Sequence, residues 1–297
     1  MISAAINKHI YIAINRTFTD DYFIKYSELE RAASVSGIQH PIVREALSRH
    51  DIGPSLEVVS LADIPAGTGL GSSGAFTVGL LRAIYAVKRE HIAANALAEE
   101  ACQIEIDRLR RPVGKQDQYI AAFGGLTCFE FDTAGRVHVS PLQIPHQSML
   151  ELEERLLLFF TGYSRDAEDQ LEKQKDHSER GDSAMLASLD AVARIGWNVK
   201  EALESGDNAR FAELMREHWE SKRRRSDGMS SERIDAWYDL AMSSGAAGGK
   251  LVGAGGGGFL MFYAADPSRL RNAMRDAGLT EVRFTFDHDG STVLVRD

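Results

Sequence analysis

A run of glycines and hydroxyl-bearing residues between positions 65 and 74 is the segment best suited to chemistry. It reads PAGTGLGSSG and lies between a predicted strand and a predicted helix. Glycines permit backbone conformations that other residues avoid, and the N–H groups at the positive end of a helix bind anions. The pattern therefore predicts a phosphate-binding loop. Its predicted binding residues are Pro65, Gly67, Thr68, Gly69, Leu70, Gly71, Ser72, Ser73 and Gly74.

Two specific types of phosphate-binding loop and one purely structural turn are alternative interpretations of this segment. Residues 69–74 also satisfy the GxGxxG pattern of dinucleotide-binding folds, which requires a second strand ending in an acidic residue about 20 residues further on. Here residues 91–109 have helical periodicity instead. A P-loop needs Ser or Thr after its lysine, and Lys250 is followed by leucine. A purely structural turn is disfavoured, since three alternating glycines and two serines share one helix start.

Hydrophobic periodicity predicts the elements that position the loop. Strands are predicted at residues 5–15, 55–61, 126–131, 136–140 and 156–161, with a hairpin partner for the first near 22–26. Helices are predicted at residues 75–88, 94–110, 114–123, 165–180, 183–205, 209–224 and 232–243. A strand pair flanks a second glycine cluster at 253–258, and residues 281–286 and 291–295 are predicted to close as a final hairpin over Asp289-Gly290.

Length favours two domains, and the change to long helical stretches after about residue 150 places the boundary there, which gives residues 1–150 and 151–297. A formal charge of -9 argues against nucleic acid or an anionic membrane as the main partner, so a bound phosphate must be held by local donors. The two cysteines have neither disulfide nor zinc spacing, which fits a reducing cytoplasm. No apolar run reaches membrane-spanning length.

Three segments in this order resemble motifs of the GHMP kinase superfamily. PAGTGLGSSGAF is similar to its phosphate-binding motif, GKQDQYIAAFGGL to the segment with its catalytic aspartate, and KLVGAGGGGFLMF to its C-terminal glycine motif. The resemblance covers about residues 50 to 265. It implies an ATP-dependent kinase with an N-terminal ribosomal-protein-S5-like α/β domain and a C-terminal ferredoxin-like α+β domain.

Further segments look like those of the D-glycero-D-manno-heptose 7-phosphate kinases, which phosphorylate the anomeric hydroxyl to give the 1,7-bisphosphate. They include AINKHIYIAIN, HPIVREAL and FTGYSRDAEDQLEKQ. The resemblance implies a sugar phosphate as the small-molecule partner. A kinase for another sugar or polyol, and a non-catalytic nucleotide- or sugar-binding relative, stay open as alternatives. A homodimer is also left open.

The resemblance also implies roles for individual residues. Asp117 would be catalytic, accepting or orienting the proton of the sugar hydroxyl, although a first-turn aspartate also stabilises its own helix. Ser73 would ligate Mg²⁺ together with Glu105, for which Asp107 is the rival. Predicted substrate contacts are Lys115, Arg165 and Gly256. The basic run at 222–225 is a further phosphate candidate, but a basic helix end is favoured there.

The start of the chain departs from the family pattern. Family members normally begin about one strand earlier, with a segment resembling PLRISFGGGGTD that contributes an arginine and an aspartate to the active site. Met1 lies where that segment would already have ended. We therefore expect an exposed sheet edge and weakened sugar binding.

Overall fold

A computed structural model describes residues 1–162, 183–223, 230–253 and 255–296. Within this part of the chain, eleven strands form three sheets. The strands are β1 Ile2–Ala4, β2 Ile10–Arg16, β3 Tyr22–Lys25, β4 Leu29–Ala32, β5 Leu56–Ala62, β6 Leu126–Phe131, β7 Val137–Pro141, β8 Leu156–Phe160, β9 Ala246–Leu251, β10 Phe259–Ala264 and β11 Thr280–Glu281.

Of the nine α-helices in the described residues, six match predicted helices and three were not predicted. The nine are α1 Pro41–Arg49, α2 Ser72–Lys88, α3 Ala94–Cys102, α4 Gln116–Phe123, α5 His146–Arg155, α6 Ser183–Ser205, α7 Asn208–Arg223, α8 Glu232–Ser243 and α9 Pro267–Asp276. A π-helical turn, Gln103–Arg108, continues α3. Among these helices, none is long and apolar enough to cross a membrane. The helix predicted at 165–180 lies outside the described residues.

The chain divides into two compact units, each built from separate segments. One unit contains Met1–Ala4, Ala66–Leu70 and Leu126–Phe286. The other contains Ala5–Pro65, Gly71–Gly125 and Asp287–Asp297. The boundary near residue 150 stays a prediction.

The first unit contains two antiparallel sheets, with strand orders β1-β6-β7 and β11-β8-β10-β9. The apolar run of β8 lies between β10 and β11 in the sheet, and four of its five residues are buried, as expected of a strand covered on both faces. Helices α7, α8 and α9 contribute to an aromatic core against the second sheet. That core includes Phe159, Trp219, Trp237, Tyr238 and Phe262.

The second unit contains one mixed sheet, ordered β2-β5-β3-β4. Strand β2 pairs antiparallel with β5 from Ile10↔Ala62 to Arg16↔Leu56, and β3 pairs with β5 in parallel. Helix α2 packs on this sheet and on helices α3 and α4. The sheet and α2 therefore hold residues 71–74, the second half of the glycine loop, against the start of α4.

Two predicted hairpins are wrong. Strand β2 does not pair with β3, because Ser55 accepts from the Thr17 N–H and donates to the Asp21 carbonyl, which draws β5 between them. Residues 291–295 form no strand, and β11 pairs with β8 instead. The Asp287 N–H donates to Ala5 and its carbonyl accepts from Gly125, so the backbone near the predicted turn is bonded elsewhere.

The close contact between β9 and α7 predicts that a side chain at Gly248 would destabilise the protein. A Cβ added at Gly248 would lie 1.8 Å from the Ala212 carbonyl oxygen. Because backbone must move to relieve this overlap, Gly248→Ala should destabilise the protein by about 1–3 kcal/mol or more.

Gly196 in α6 is the matched control for that change. An added Cβ meets nothing within 4 Å there, so Gly196→Ala should be neutral or stabilise by up to about 1 kcal/mol. Thermal unfolding of the two variants measures both effects. Equal melting temperatures would contradict the packing at Gly248.

Candidate active site

The glycine loop has the backbone that its sequence predicts. Gly67, Gly69 and Gly71 have φ angles of 74°, 83° and 72°, in the left-handed region that favours glycine. Gly71 is the N-cap residue of α2, and it provides no side chain to cap the first N–H groups. The N-terminal amides of α2 therefore depend on other acceptors, which is the arrangement that suits an anion.

In the first unit, the loop packs closely on the second glycine cluster. A Cβ added at Gly253 would lie 2.6 Å from Gly69 Cα, and one added at Gly258 would lie 2.0 Å from the Thr68 carbonyl oxygen. Only glycine fits at Gly253 and Gly258 without moving backbone. Lys222, with 9% of its surface exposed, donates a hydrogen bond to the Gly253 carbonyl.

In the second unit, the structure brings Ser73 and Glu105 together. The Ser73 hydroxyl donates a hydrogen bond to Glu105 Oε2. Glu105 lies in the π-helical turn after α3 and is fully buried. Its other oxygen, Oε1, accepts from Thr77 Oγ1 at 3.1 Å and from Gln118 Nε2 at 2.8 Å. Helices α2 and α4 thus both hold this carboxylate in place.

Arg111 completes this cluster, and the sequence analysis assigned it no role in the site. Its Nη1 lies 2.7 Å from Ser73 Oγ and 3.3 Å from Glu105 Oε2. Its main-chain N–H donates to the Glu105 carbonyl at 2.9 Å. Thr77, one turn after Ser73 on α2, was detectable from helical spacing. Arg111 was not, because it lies beyond the end of the helix and no periodicity governs its direction.

Asp117 lies in the first turn of α4, against the start of α2. A Cβ added at Gly71 would lie 3.0 Å from Asp117 Cγ, and one added at Gly74 would lie 2.8 Å from Asp117 Cβ. Burial, together with the Glu105 carboxylate, raises the pKa of Asp117 to about 6. The structure therefore places Asp117 beside the loop's second half, in a setting that favours proton exchange near neutral pH.

The residues predicted to contact the substrate are Lys115, Arg165 and Gly256. Lys115 Nζ lies 2.9 Å from both carboxylate oxygens of Glu99, which also accepts from the Tyr119 hydroxyl. Gly256 is buried with φ 77°. Arg165 lies outside the described residues, as do the last two arginines of the basic run at 222–225. Arg223, in that run, pairs with Asp235 at 3.0 Å.

The donor chemistry of Ser73 and Glu105 fits a magnesium ion that is also bound by phosphate. In the part of the chain that the structure describes, no group of three or more His, Cys, Asp or Glu side chains could hold a metal by itself. Magnesium keeps several waters and needs only one or two protein oxygens in addition to substrate phosphates. A hydroxyl and a buried carboxylate side by side meet that requirement.

Family models match both parts of the chain. The model of the GHMP kinases N terminal domain matches residues 29–125, and that of the GHMP kinases C terminal domain matches residues 199–280. The chain belongs to the GHMP kinases.

One curated relative is a D-glycero-alpha-D-manno-heptose 7-phosphate kinase of Campylobacter jejuni, 35% identical over 221 residues. The match covers 74% of this chain and spans 64% of the length of that relative. A crystal structure of a D-glycero-D-manno-heptose 1-phosphate kinase from Bacteroides thetaiotaomicron is 26% identical, with a TM-score of 0.75. The match covers 98% of this chain and 88% of that chain.

A more distant structure, Lactococcus lactis galactokinase complexed with galactose, shares the fold alone. Its TM-score is 0.76 at 15% identity, and the match covers 98% of this chain and 88% of that one. The α+β GHMP kinase fold predicted from the three motifs is confirmed by the two family models and by the heptose 1-phosphate kinase structure. The family matches lie on either side of residue 150 but leave that boundary untested.

The raised pKa of Asp117 predicts a pH-dependent cost in stability. The folded protein holds the Asp117 proton up to about pH 6, whereas the unfolded chain releases it near the ordinary value of 3.8. The wild type should therefore lose stability as pH rises between about 4 and 6, and stay lower above that range. Asp117→Asn removes this loss and should be more stable by about 1–2 kcal/mol above pH 6.

Melting temperatures of wild type and variant at about pH 5 and about pH 8 measure the effect. Asp107→Asn, which removes an exposed carboxylate of the same unit, is the control and should show no such pH-dependent gain. A gain for Asp117→Asn that is equally large at both pH values would contradict the assignment.

Proposed function

We propose that this GHMP kinase transfers the terminal phosphoryl group of ATP to the anomeric hydroxyl of D-glycero-D-manno-heptose 7-phosphate. The observation that carries the proposal is the convergence of Ser73, Glu105 and Asp117 at the N-terminus of α2. The 35% identity to a heptose 7-phosphate kinase supports the choice of acceptor. Residues 1–150 would form the nucleotide-binding domain, and residues 151–297 the C-terminal domain.

The glycine loop is the proposed phosphate-binding element. The main-chain N–H groups from Gly67 to Gly74 would donate to the phosphates, and the N-terminus of α2 would favour their negative charge. Ser73 and Glu105 would hold Mg²⁺, which neutralises charge on the phosphate chain when it is bound. Phosphoryl transfer asks mainly for such positioning and charge neutralisation, so few protein groups need to react.

Asp117 is the proposed proton acceptor. The bond between the terminal phosphorus and its bridging oxygen breaks, a bond from phosphorus to the sugar oxygen forms, and the hydroxyl proton passes to the Asp117 carboxylate. A pKa near 6 leaves this group ionised at neutral pH and close to the pH at which it works. Its position against Gly71 and Gly74 supports the role, because those glycines place it beside the phosphate loop.

The remaining assignments concern the acceptor and the assembly. Lys115, Arg165 and Gly256 stay proposed contacts of the sugar phosphate, with Lys115 paired to Glu99 in the structure described above. A cytoplasmic location is proposed because the two cysteines, Cys102 and Cys128, are free thiols. A homodimer stays an open alternative.

Replacing Asp117 tests the chemical role directly. Asp117→Asn keeps the shape of the side chain but removes the proton acceptor, so kcat should fall by about 100-fold or more. ATP binding, measured by calorimetry, should change little, because the phosphates are assigned to the loop amides. Asp107→Asn is again the control and should keep wild-type turnover. Undiminished ADP release by Asp117→Asn would refute the assignment.

A panel of acceptors tests the substrate. ADP release should depend on the acceptor, with a higher kcat/KM for heptose 7-phosphate than for galactose, mevalonate or fucose. A site built to pair with a phosphate loses substantial affinity when that group is missing. The product should carry its new phosphate at the anomeric carbon by ³¹P NMR. Preference for an acceptor without a phosphate would overturn the heptose phosphate assignment but leave the kinase assignment intact.

A further inference from the structure

Arg111 lies on the same two oxygen atoms that the proposed function assigns to Mg²⁺. Its Nη1 is 2.7 Å from Ser73 Oγ and 3.3 Å from Glu105 Oε2. A magnesium ion would have to approach each ligand oxygen to about 2.0–2.1 Å. One guanidinium nitrogen and one metal ion cannot both bridge these two oxygens from the same side, so the two cations would compete for them.

The burial of Glu105 explains why a cation is needed there. An ionised carboxylate with 0% exposure is costly unless it is paired and hydrogen-bonded. Thr77 and Gln118 supply neutral hydrogen bonds to Oε1, and Arg111 supplies positive charge at Oε2. These contacts therefore orient the carboxylate that is proposed to bind the metal.

We infer that Arg111 blocks the metal position and competes with free divalent cations for Ser73 and Glu105. A bound phosphate chain would give the guanidinium another partner and so release the position. Arginine forms strong, paired hydrogen bonds with phosphate oxygens, so nucleotide binding offers such an alternative. The main-chain bond from Arg111 to Glu105 keeps the backbone in place while the side chain, 24% exposed, moves. Metal and nucleotide would then enter as one unit. Arg111 is thus a positioning residue, and this inference rests on the proposed function of Ser73 and Glu105.

The test uses Mn²⁺ as the probe, with the full chain and without nucleotide. Mn²⁺ binding is followed by electron paramagnetic resonance for wild type, Arg111→Gln, Arg108→Gln, and the double variant Arg111→Gln with Glu105→Gln. Arg108 pairs with Glu45 on the exposed surface, so Arg108→Gln changes the net charge equally at a nearby position. We expect Arg111→Gln to bind Mn²⁺ at least about tenfold more tightly than wild type, because the carboxylate loses its competing cation. Arg108→Gln should match wild type, and the double variant should lose the gain.

Thermal unfolding with Mg²⁺ alone supplies a second measurement. Arg111→Gln leaves the Glu105 charge uncompensated and should melt at a lower temperature, which Mg²⁺ should largely restore. Wild type and Arg111→Lys, which keeps a positive charge near Glu105, should respond little to Mg²⁺. Equal Mn²⁺ affinity of Arg111→Gln and wild type, an equal gain in Arg108→Gln, or a gain that persists without Glu105 would overturn the inference. So would an Arg111→Gln variant that stays unfolded in Mg²⁺.

Neither measurement requires turnover or a sugar acceptor. If acceptors fail while Mn²⁺ binding changes as expected, the proposed reaction fails and the role of Arg111 stands. If turnover follows the proposal but Mn²⁺ affinity is unchanged, the reverse holds.

Discussion

The buried carboxylate of Glu105 is the interaction on which the rest of the candidate site depends. A charge in this position must be compensated from several directions, and its partners come from α2, α4 and the segment between α3 and α4. Glu105 lies in the π-helical turn Gln103–Arg108, a rare backbone geometry that is frequent at functional sites. Satisfying one acid therefore positions a serine, a threonine, a glutamine and an arginine together.

The second constraint is steric, and it acts at the glycines. Gly71 and Gly74 leave room for the first turn of α4, which brings Asp117 to the start of α2. The same closeness buries Asp117 near a second carboxylate, and this raises its pKa. Stability is thus reduced at the point where a proton acceptor near neutral pH is useful. Functional sites commonly contain such locally unfavourable arrangements.

The two wrong hairpin predictions of the sequence analysis share one physical cause. Residues 22–26 and 291–295 have strand-like composition, but neither forms the predicted hairpin. Pairing in a sheet depends on which backbone groups are already hydrogen-bonded. Ser55 bonds to the backbone between β2 and β3, and Ala5 bonds to the backbone of Asp287 near the second predicted turn. Both partners are distant in sequence. Three helices were also missing from the prediction, namely Pro41–Arg49, His146–Arg155 and Pro267–Asp276. Each has a proline at its N-cap or its first position, a start signal that local sequence does contain.

The order of strand, glycine loop and helix and the kinase family followed from the sequence by itself, which also indicated Ser73, Glu105 and Asp117 as candidate site residues. Such features depend on local backbone preference and on residue spacing, and both can be read along the chain. The position of Arg111 on the serine and the glutamate, the pairing of Lys115 with Glu99, and the burial that raises the Asp117 pKa were decided by tertiary structure alone. Charge compensation and burial depend on which helices meet in space, and spacing along one chain does not contain that information.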